Sequence, residues 1–296
     1  MTSETAGTIR ANERGKKLAR RRIFSVVAHI VLIAASICML YPLLWMLSAS
    51  FRPQDEIFNS NSLIPSSVSV AAYVRGWASG LQITFATFFA NSFIISILSV
   101  IGNLAACSAT AFAFARLKFW GRGFWFALML GTLMLPYQVT LIPQYVLFRN
   151  LGWVNTFLPL VVPKFLAADS FFIFLMVQFF RGIPRELDEA AMIDGCSTFG
   201  IYWRIMLPLS VPVLVTAGIF TFIFTWDDFF APLIYLNDMK NYTVTLALRS
   251  FVDSSGQSDW GGLFAMSVLS LIPIFLFFLF FQRLLIEGIA TTGMKR

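Results

Sequence analysis

Glu189-Ala-Ala-Met-Ile-Asp-Gly195, carried on to Leu207-Pro208, lies in a polar gap between two long apolar runs. The gap opens with Arg181-Gly-Ile-Pro184-Arg-Glu186-Leu-Asp188, and past Gly195 it continues through Ser197-Thr198 into a second amphipathic stretch. Pro184 suits the first turn of a helix, and Glu186, Asp188 and Glu189 complement its positive end. Gly195 suits the stop, where a left-handed residue so often closes the last turn. Ser197 or Thr198 then caps a second short helix that ends at Pro208. The pattern predicts helix, sharp turn, helix at the water's edge. Leu187, Ala190, Ala191 and Asp194 share one face, small at its centre, which lets a partner approach closely. Glu186 and Glu189 stand beside that face, placed to meet a basic residue.

The apolar runs on either side are part of a wider pattern. Hydrophobic residues make up 58% of the 296-residue chain and charged ones 12%, against about 25% charged in a soluble domain. That excludes an ordinary soluble fold. A spanning helix needs about 20 apolar residues, and six stretches qualify, near Ile23–Ser48, Phe88–Phe114, Phe124–Phe148, Phe157–Phe180, Leu209–Phe230 and Leu263–Gln282. Counted over the connecting segments, sixteen Lys and Arg fall on the side holding residues 1–22, Arg116-Leu-Lys118, the loop 181–208 and the tail 284–296 with Arg283 beside it. Five fall on the other: Arg52, Arg75, Arg149, Lys240 and Arg249. The basic excess marks the cytoplasmic side, so both termini and the loop 181–208 are expected there. The net charge of +7 is then mostly a topology signal, and its scatter beside the spans argues against nucleic-acid binding.

Residues 1–22 form a basic segment expected to be disordered or surface-bound. The following run is too long for a signal peptide and lacks a small-residue cleavage site, so it reads as an uncleaved first span. Cys38 and Cys107 fall in spans and Cys196 in the loop, which indicates no disulfide framework. The second span is rich in small residues from Ala105 to Ala115, a composition that lets helices pack closely in lipid. The third carries Leu135-Pro136-Tyr137-Gln138-Val-Thr-Leu-Ile-Pro143, a doubly interrupted helix that either kinks for packing or lines a cavity. Lys164 and Asp169 sit inside the fourth. On an ideal helix they are rotated by about 140° from one another, so either Pro163 bends the chain to pair them or both stand at the outer headgroups.

The segment 181–208 resembles the Glu-Ala-Ala loop of ABC importer permeases, in which Glu-Ala-Ala is followed by Gly and, further on, by Leu-Pro. Two other stretches are similar to the carbohydrate-uptake branch of that family. One is Leu135–Pro143 with Leu151-Gly-Trp-Val-Asn155-Thr156; the other is Thr225-Trp226-Asp227-Asp228-Phe-Phe-Ala-Pro232, followed by Asp259-Trp-Gly261. With Ala113-Phe-Ala-Arg116 the likeness runs from about Ile23 to Arg296, and it is to the smaller, six-span subunit of maltose-type systems. One departure is Trp226-Asp227-Asp228, where that family more often has Trp-Asn-Asp or Trp-Asn-Glu.

The resemblance implies an all-α integral membrane protein with the six-helix type I ABC importer permease fold. The basic segment 1–22 would precede a permease domain over 23–283, with a cytoplasmic tail over 284–296. It implies that Glu186, Glu189, Ala190, Ala191, Asp194, Gly195, Leu207 and Pro208 couple to an ATPase. Pro136, Tyr137, Gln138, Tyr145, Trp226, Asp227 and Asp228 become candidates for the translocation path. Ser254, Ser255, Gly256 and Gln257 become candidates for contact with a binding protein. The implied partners are a second permease subunit, two cytoplasmic ATPases that carry ATP and Mg, an extracytoplasmic solute-binding protein, membrane lipid and a sugar, in the plasma membrane of a prokaryote. In such systems the tail slips between the ATPases, and Thr291-Thr292-Gly-Met-Lys-Arg296 is compatible with that.

The chain itself carries no recognisable catalytic set. G-x-x-x-x-G-K-[ST] is absent, Gly15-Lys16 being its only fragment, so ATP has no phosphate loop here. One histidine and no H-E-x-x-H leave little for zinc. An ion-gradient transporter would more often show buried acid pairs or inverted repeats, and the acids here lie mostly in loops. An ABC importer of glycerol phosphate or another non-sugar solute is the second alternative.

Overall fold

The structure is a computed structural model and describes residues 3–59, 62–78, 83–252 and 258–293, with side chains described from Phe24 to Gln282. Among these residues all regular structure is helical. Four helices are long and apolar enough to cross a membrane, and two bent pairs raise the number to six if each pair is one span. The 47-residue α1 (Ser3–Ala49) is continuous from the basic segment into the first apolar run. Residues 3–22 are therefore helical, which removes disorder from the two expectations for this segment and leaves surface binding. Over Phe24–Leu47 the helix buries nothing; it touches the rest of the chain chiefly near α14 (Trp260–Gly293), where Trp45 meets Phe264 edge-on at 5.4 Å.

The organising element is α3 (Phe85–Arg116), 32 residues long and packed on both faces. Its small residues explain the close approach. At Gly102 an added Cβ would stand 2.4 Å from the Phe165 ring of α6 (Leu158–Phe165). Its polar residues tie neighbours together, as interhelical hydrogen bonds do in lipid. Asn103 Nδ2 donates to Thr221 Oγ1 of α11 (Val211–Asp227) at 2.5 Å, and Ser108 Oγ meets Tyr202 OH at 2.7 Å. At the other end Asn91 Nδ2 donates to the carbonyls of Lys240 and Tyr242, while Ser92 Oγ accepts from Val244 N.

Several spans are broken, the third at one of its two expected interruptions, since Pro143 lies inside a continuous helix. The third is α4 (Arg122–Thr132) and α5 (Tyr137–Asn150), which meet at 100°; Pro136 is the last residue before α5 and has no N–H to carry the helix across. The fourth is α6 and α7 (Ser170–Gly182), interrupted where Ala167 adopts φ 54°. The fifth begins at Val211 rather than Leu209, after a 77° bend at Ser210. It ends at Asp227, and Phe230 opens the separate short helix α12 (Phe230–Tyr235). Last, α14 runs to Gly293, so residues 284–293, set apart as a tail in the sequence reading, continue the helix.

Candidate functional site

The loop 181–208 folds as a helix, a sharp turn and a second helix. Ile183 takes the extended conformation that a following proline imposes and ends α7. The next helix, α8 (Glu186–Ile193), begins after Pro184 rather than at it. At its far end Gly195 has φ 80°, and two bonds close the turn: Cys196 N to Ala191 O at 2.9 Å and Gly195 N to Met192 O at 3.1 Å. This is the paired-bond C-terminal motif that a left-handed glycine permits. Ser197 then caps α9 (Thr198–Ile201), its Oγ accepting from Gly200 N at 3.2 Å. A wide helical turn over Tyr202–Met206 and α10 (Leu207–Leu209) carry the chain past Pro208 to the bend.

The inner face of this unit is fixed to α3. Ala191, Ile201, Tyr202 and Met206 are buried in one apolar cluster with Ala111, Phe112 and Ala115. Arg116, the last residue of α3, places Nε 3.2 Å from Asp188 Oδ2 and donates through Nη2 to Ile183 O at 2.7 Å. Both side chains of the pair are almost wholly buried. The outer face is different. Glu186, Glu189, Ala190 and Asp194 are exposed, and Leu187, Met192, Ile193, Phe199 and Trp203 stand in the open, Ile193 at 87% exposure. An apolar ridge flanked by carboxylates is the composition of a surface that seats a partner. Of the residues expected on the partner-facing side, Ala191 is turned inward.

The other candidate region is a cavity of about 720 Å³. Three of its walls are places where the backbone is irregular: the α4–α5 break, the α6–α7 break, and the α11–α12 junction. Irregular backbone at membrane depth is tolerated where it lines a cavity or is covered by protein, which gives the three breaks one common cause. Lys164 Nζ lies 2.8 Å from Asp169 Oδ2 on this wall. The non-helical residues 166–169 between them bring the two together, undoing the rotation that a regular helix would impose. Asp228 Oδ1 accepts from Phe230 N and Ala231 N at 3.0 and 3.2 Å, capping α12.

The cavity gathers Tyr137 and Asp228 from the path candidates, and adds Thr132, Thr140, Gln144 and Thr225, which were not among those candidates. Pro136, Gln138, Tyr145 and Asp227 stand outside its lining. So does Trp226, which is buried against Phe93 and Phe222 and donates from Nε1 to Ser270 O at 3.1 Å. Asp188 and Arg116 were also missed as a pair. The available signal was that Asp188 and Ala191, three apart, share the face opposite the charged rim. Ser254, Ser255, Gly256 and Gln257 lie outside the described residues, as do the side chains of Thr291 and Thr292.

The model of a family described as the inner membrane component of binding-protein-dependent transport systems matches residues 102–291. The chain is 38% identical over 259 residues to a probable ABC transporter permease protein, YurM, of Bacillus subtilis, covering 88% of this chain and 85% of that one. It is 36% identical to the permease protein of an arabinooligosaccharides transport system from Halalkalibacterium halodurans, over 86% of this chain and 91% of the relative. It is 32% identical to a trehalose/maltose transport system permease of Thermococcus litoralis, over 93% and 97%. Among solved structures, a chain of a bacterial ABC transporter involved in import of the acidic polysaccharide alginate superposes with a TM-score of 0.78 at 23% identity, over 88% of this chain and 96% of that one. The last match shows a shared fold.

Proposed function

The chain belongs to the family of inner membrane components of binding-protein-dependent transport systems, and from that premise we propose that it is the permease subunit of an ATP-driven importer of sugars, oligosaccharides above all. The observation that carries the reading is the loop 181–208: its inner face is locked to α3 by Arg116 and its outer face presents an apolar, acid-rimmed ridge. In this reading the two bent pairs are spans, giving six, with both termini and the loop in the cytoplasm as the basic excess requires. The permease domain runs over 23–283, between the N-terminal segment 1–22 and the tail 284–296, in the plasma membrane of a prokaryote.

Two cytoplasmic ATPases, carrying ATP and Mg, seat Glu186, Glu189, Ala190, Asp194 and the ridge around Ile193. Gly195 shapes the turn, and Leu207-Pro208 leads into the fifth span. A second permease subunit completes the pore, and the segment with Ser254, Ser255, Gly256 and Gln257 faces the solute-binding protein. When the ATPases close, they carry α8 with them and the spans open outward; hydrolysis reverses the motion. The chain performs no chemistry itself.

Relatives include permeases of arabinooligosaccharide and diacetylchitobiose uptake and one of sn-glycerol-3-phosphate transport. The cavity favours the sugar reading. Its lysine is already neutralised by Asp169, and Asp228 adds a carboxylate, a poor setting for a phosphate and a fair one for hydroxyl groups. Co-purification tests the docking role: Glu189→Lys should leave the chain inserted but lose its ATPases or uncouple them. An intact Glu189→Lys complex with normal uptake contradicts it.

A further inference from the structure

We infer that the Arg116–Asp188 ion pair makes α3 and the loop 181–208 move as one rigid body, so that Arg116 is a positioning residue through which load on α8 reaches the cavity wall. The inference rests on the reading of this loop as the ATPase seat. One guanidinium joins points before, within and after the loop's first turn. Its Nη2 holds the Ile183 carbonyl at 2.7 Å and lies 4.0 Å from Met206 Sδ, while Nε faces Asp188 Oδ2 at 3.2 Å. Nη2 supplies the hydrogen bonds and Nε the charge contact, and a rigid planar guanidinium keeps the two in fixed relative geometry, which a lysine ammonium on its flexible stem does less well.

Asp188 points inward from α8, away from the exposed Glu186 and Glu189. A carboxylate on that face serves the chain's own packing. The surrounding contacts keep the same register: Ala191 and Tyr202 pack against Ala111, Phe112 and Ala115, and Tyr202 OH meets Ser108. From this joint α3 runs 32 residues, about 48 Å at 1.5 Å per residue. Near its far end Asn91 and Ser92 hold the segment around Lys240–Val244, and Ile95 forms part of the cavity wall. A buried ion pair adds little net stability over apolar groups of the same size. Its use here is geometric: it fixes the angle between a lever and the surface that is pushed.

The test uses the complete transporter in lipid nanodiscs, with Cys38, Cys107 and Cys196 replaced and spin labels placed at Ala86 and at Arg185, the exposed residue before α8 that lies outside the seat. The distance between labels is measured without nucleotide and after trapping with ATP and vanadate, retained nucleotide confirming that the ATPases have closed. In the parent protein the distance should stay constant. Arg116→Gln and Asp188→Asn should keep the nucleotide-free distance and the ATPase content, yet shift on trapping by roughly a helical turn, about 5 Å. Exchanging the charges, Arg116→Asp with Asp188→Arg, should restore constancy. A parent distance that shifts as much on trapping overturns the inference, as does an unchanged distance in both single variants. Loss of the ATPases from the single variants also overturns it, since the pair would then shape the seat instead of transmitting motion. Failure of the underlying reading looks different: the parent complex itself would purify without ATPases.

Discussion

Replacing Gly102 by alanine adds one methyl group at a close contact between α3 and α6. The new Cβ would lie 2.4, 2.6 and 2.8 Å from Cδ2, Cε2 and Cγ of Phe165, where carbon atoms normally rest about 3.5–4.0 Å apart. The overlap exceeds 1 Å by that comparison, and it includes Cγ, so a simple ring flip does not clear it. Either Phe165 leaves its place or the helices separate. Overpacking of this kind costs about 1–3 kcal/mol, and Phe165 is 44% exposed, which puts the expected cost in the lower half of that range. At about 1.4 kcal/mol the folded-to-unfolded ratio falls about tenfold. The measurement is thermal unfolding of the detergent-solubilised protein for Gly102→Ala, Phe165→Ala and the double variant, read as a cycle. With Phe165 shortened the added methyl should become nearly neutral. If Gly102→Ala is neutral alone, or costs the same in both backgrounds, the close α3–α6 contact is refuted.

At Gly195 an added Cβ meets no neighbouring atom within 4 Å, so the cost of Gly195→Ala comes from forcing an L side chain to φ 80°, about 1–2 kcal/mol. The substitution should reduce ATPase co-purification far more than it lowers the unfolding temperature of the spans, and equal effects would count against the turn. Lys164→Met strands Asp169 beside the cavity. Because each partner is about a quarter exposed, the loss should fall to about 1–2 kcal/mol, below the 3–5 of a fully buried pair; adding Asp169→Leu should recover most of it in the same unfolding assay. Asn155 sits at φ 65° and its Oδ1 accepts from Asn237 N and Asp238 N at 3.0 and 2.8 Å. Asn155→Ala should therefore lose about 2–3 kcal/mol from backbone strain and two hydrogen bonds, with Asn155→Gly recovering the strain component alone.

What could be read from residues alone follows the range of the interactions involved. The first, second and sixth apolar runs each lie within one unbroken helix, because length and apolarity are local properties, although the first and last of these helices run on well beyond the apolar residues. The loop 181–208 was legible for the same reason: Gly195 and Ser197 act within a few residues of themselves. Prolines announced that the third span was interrupted, but whether a proline kinks a helix or turns it by 100° depends on what the freed backbone groups find nearby. The break between α6 and α7 had a weaker signal, since Ala167 takes a left-handed conformation that glycine or asparagine would have advertised. Lys164 and Asp169 therefore looked poorly placed for pairing. Trp226 was a path candidate through the resemblance carried by Thr225–Pro232; its burial depends on Phe93, Phe222 and Ser270, all from other turns or helices. Arg116 and Asp188 are 72 positions apart, and a single sequence has no periodicity that joins them.

Uptake into proteoliposomes tests the central claim most directly. The chain, reconstituted with its second permease and ATPases and supplied with binding protein loaded with radiolabelled solute, should accumulate that solute only when ATP is present at the ATPase side. Collapse of proton and sodium gradients should leave the rate unchanged. Accumulation driven by an ion gradient without ATP would contradict the account.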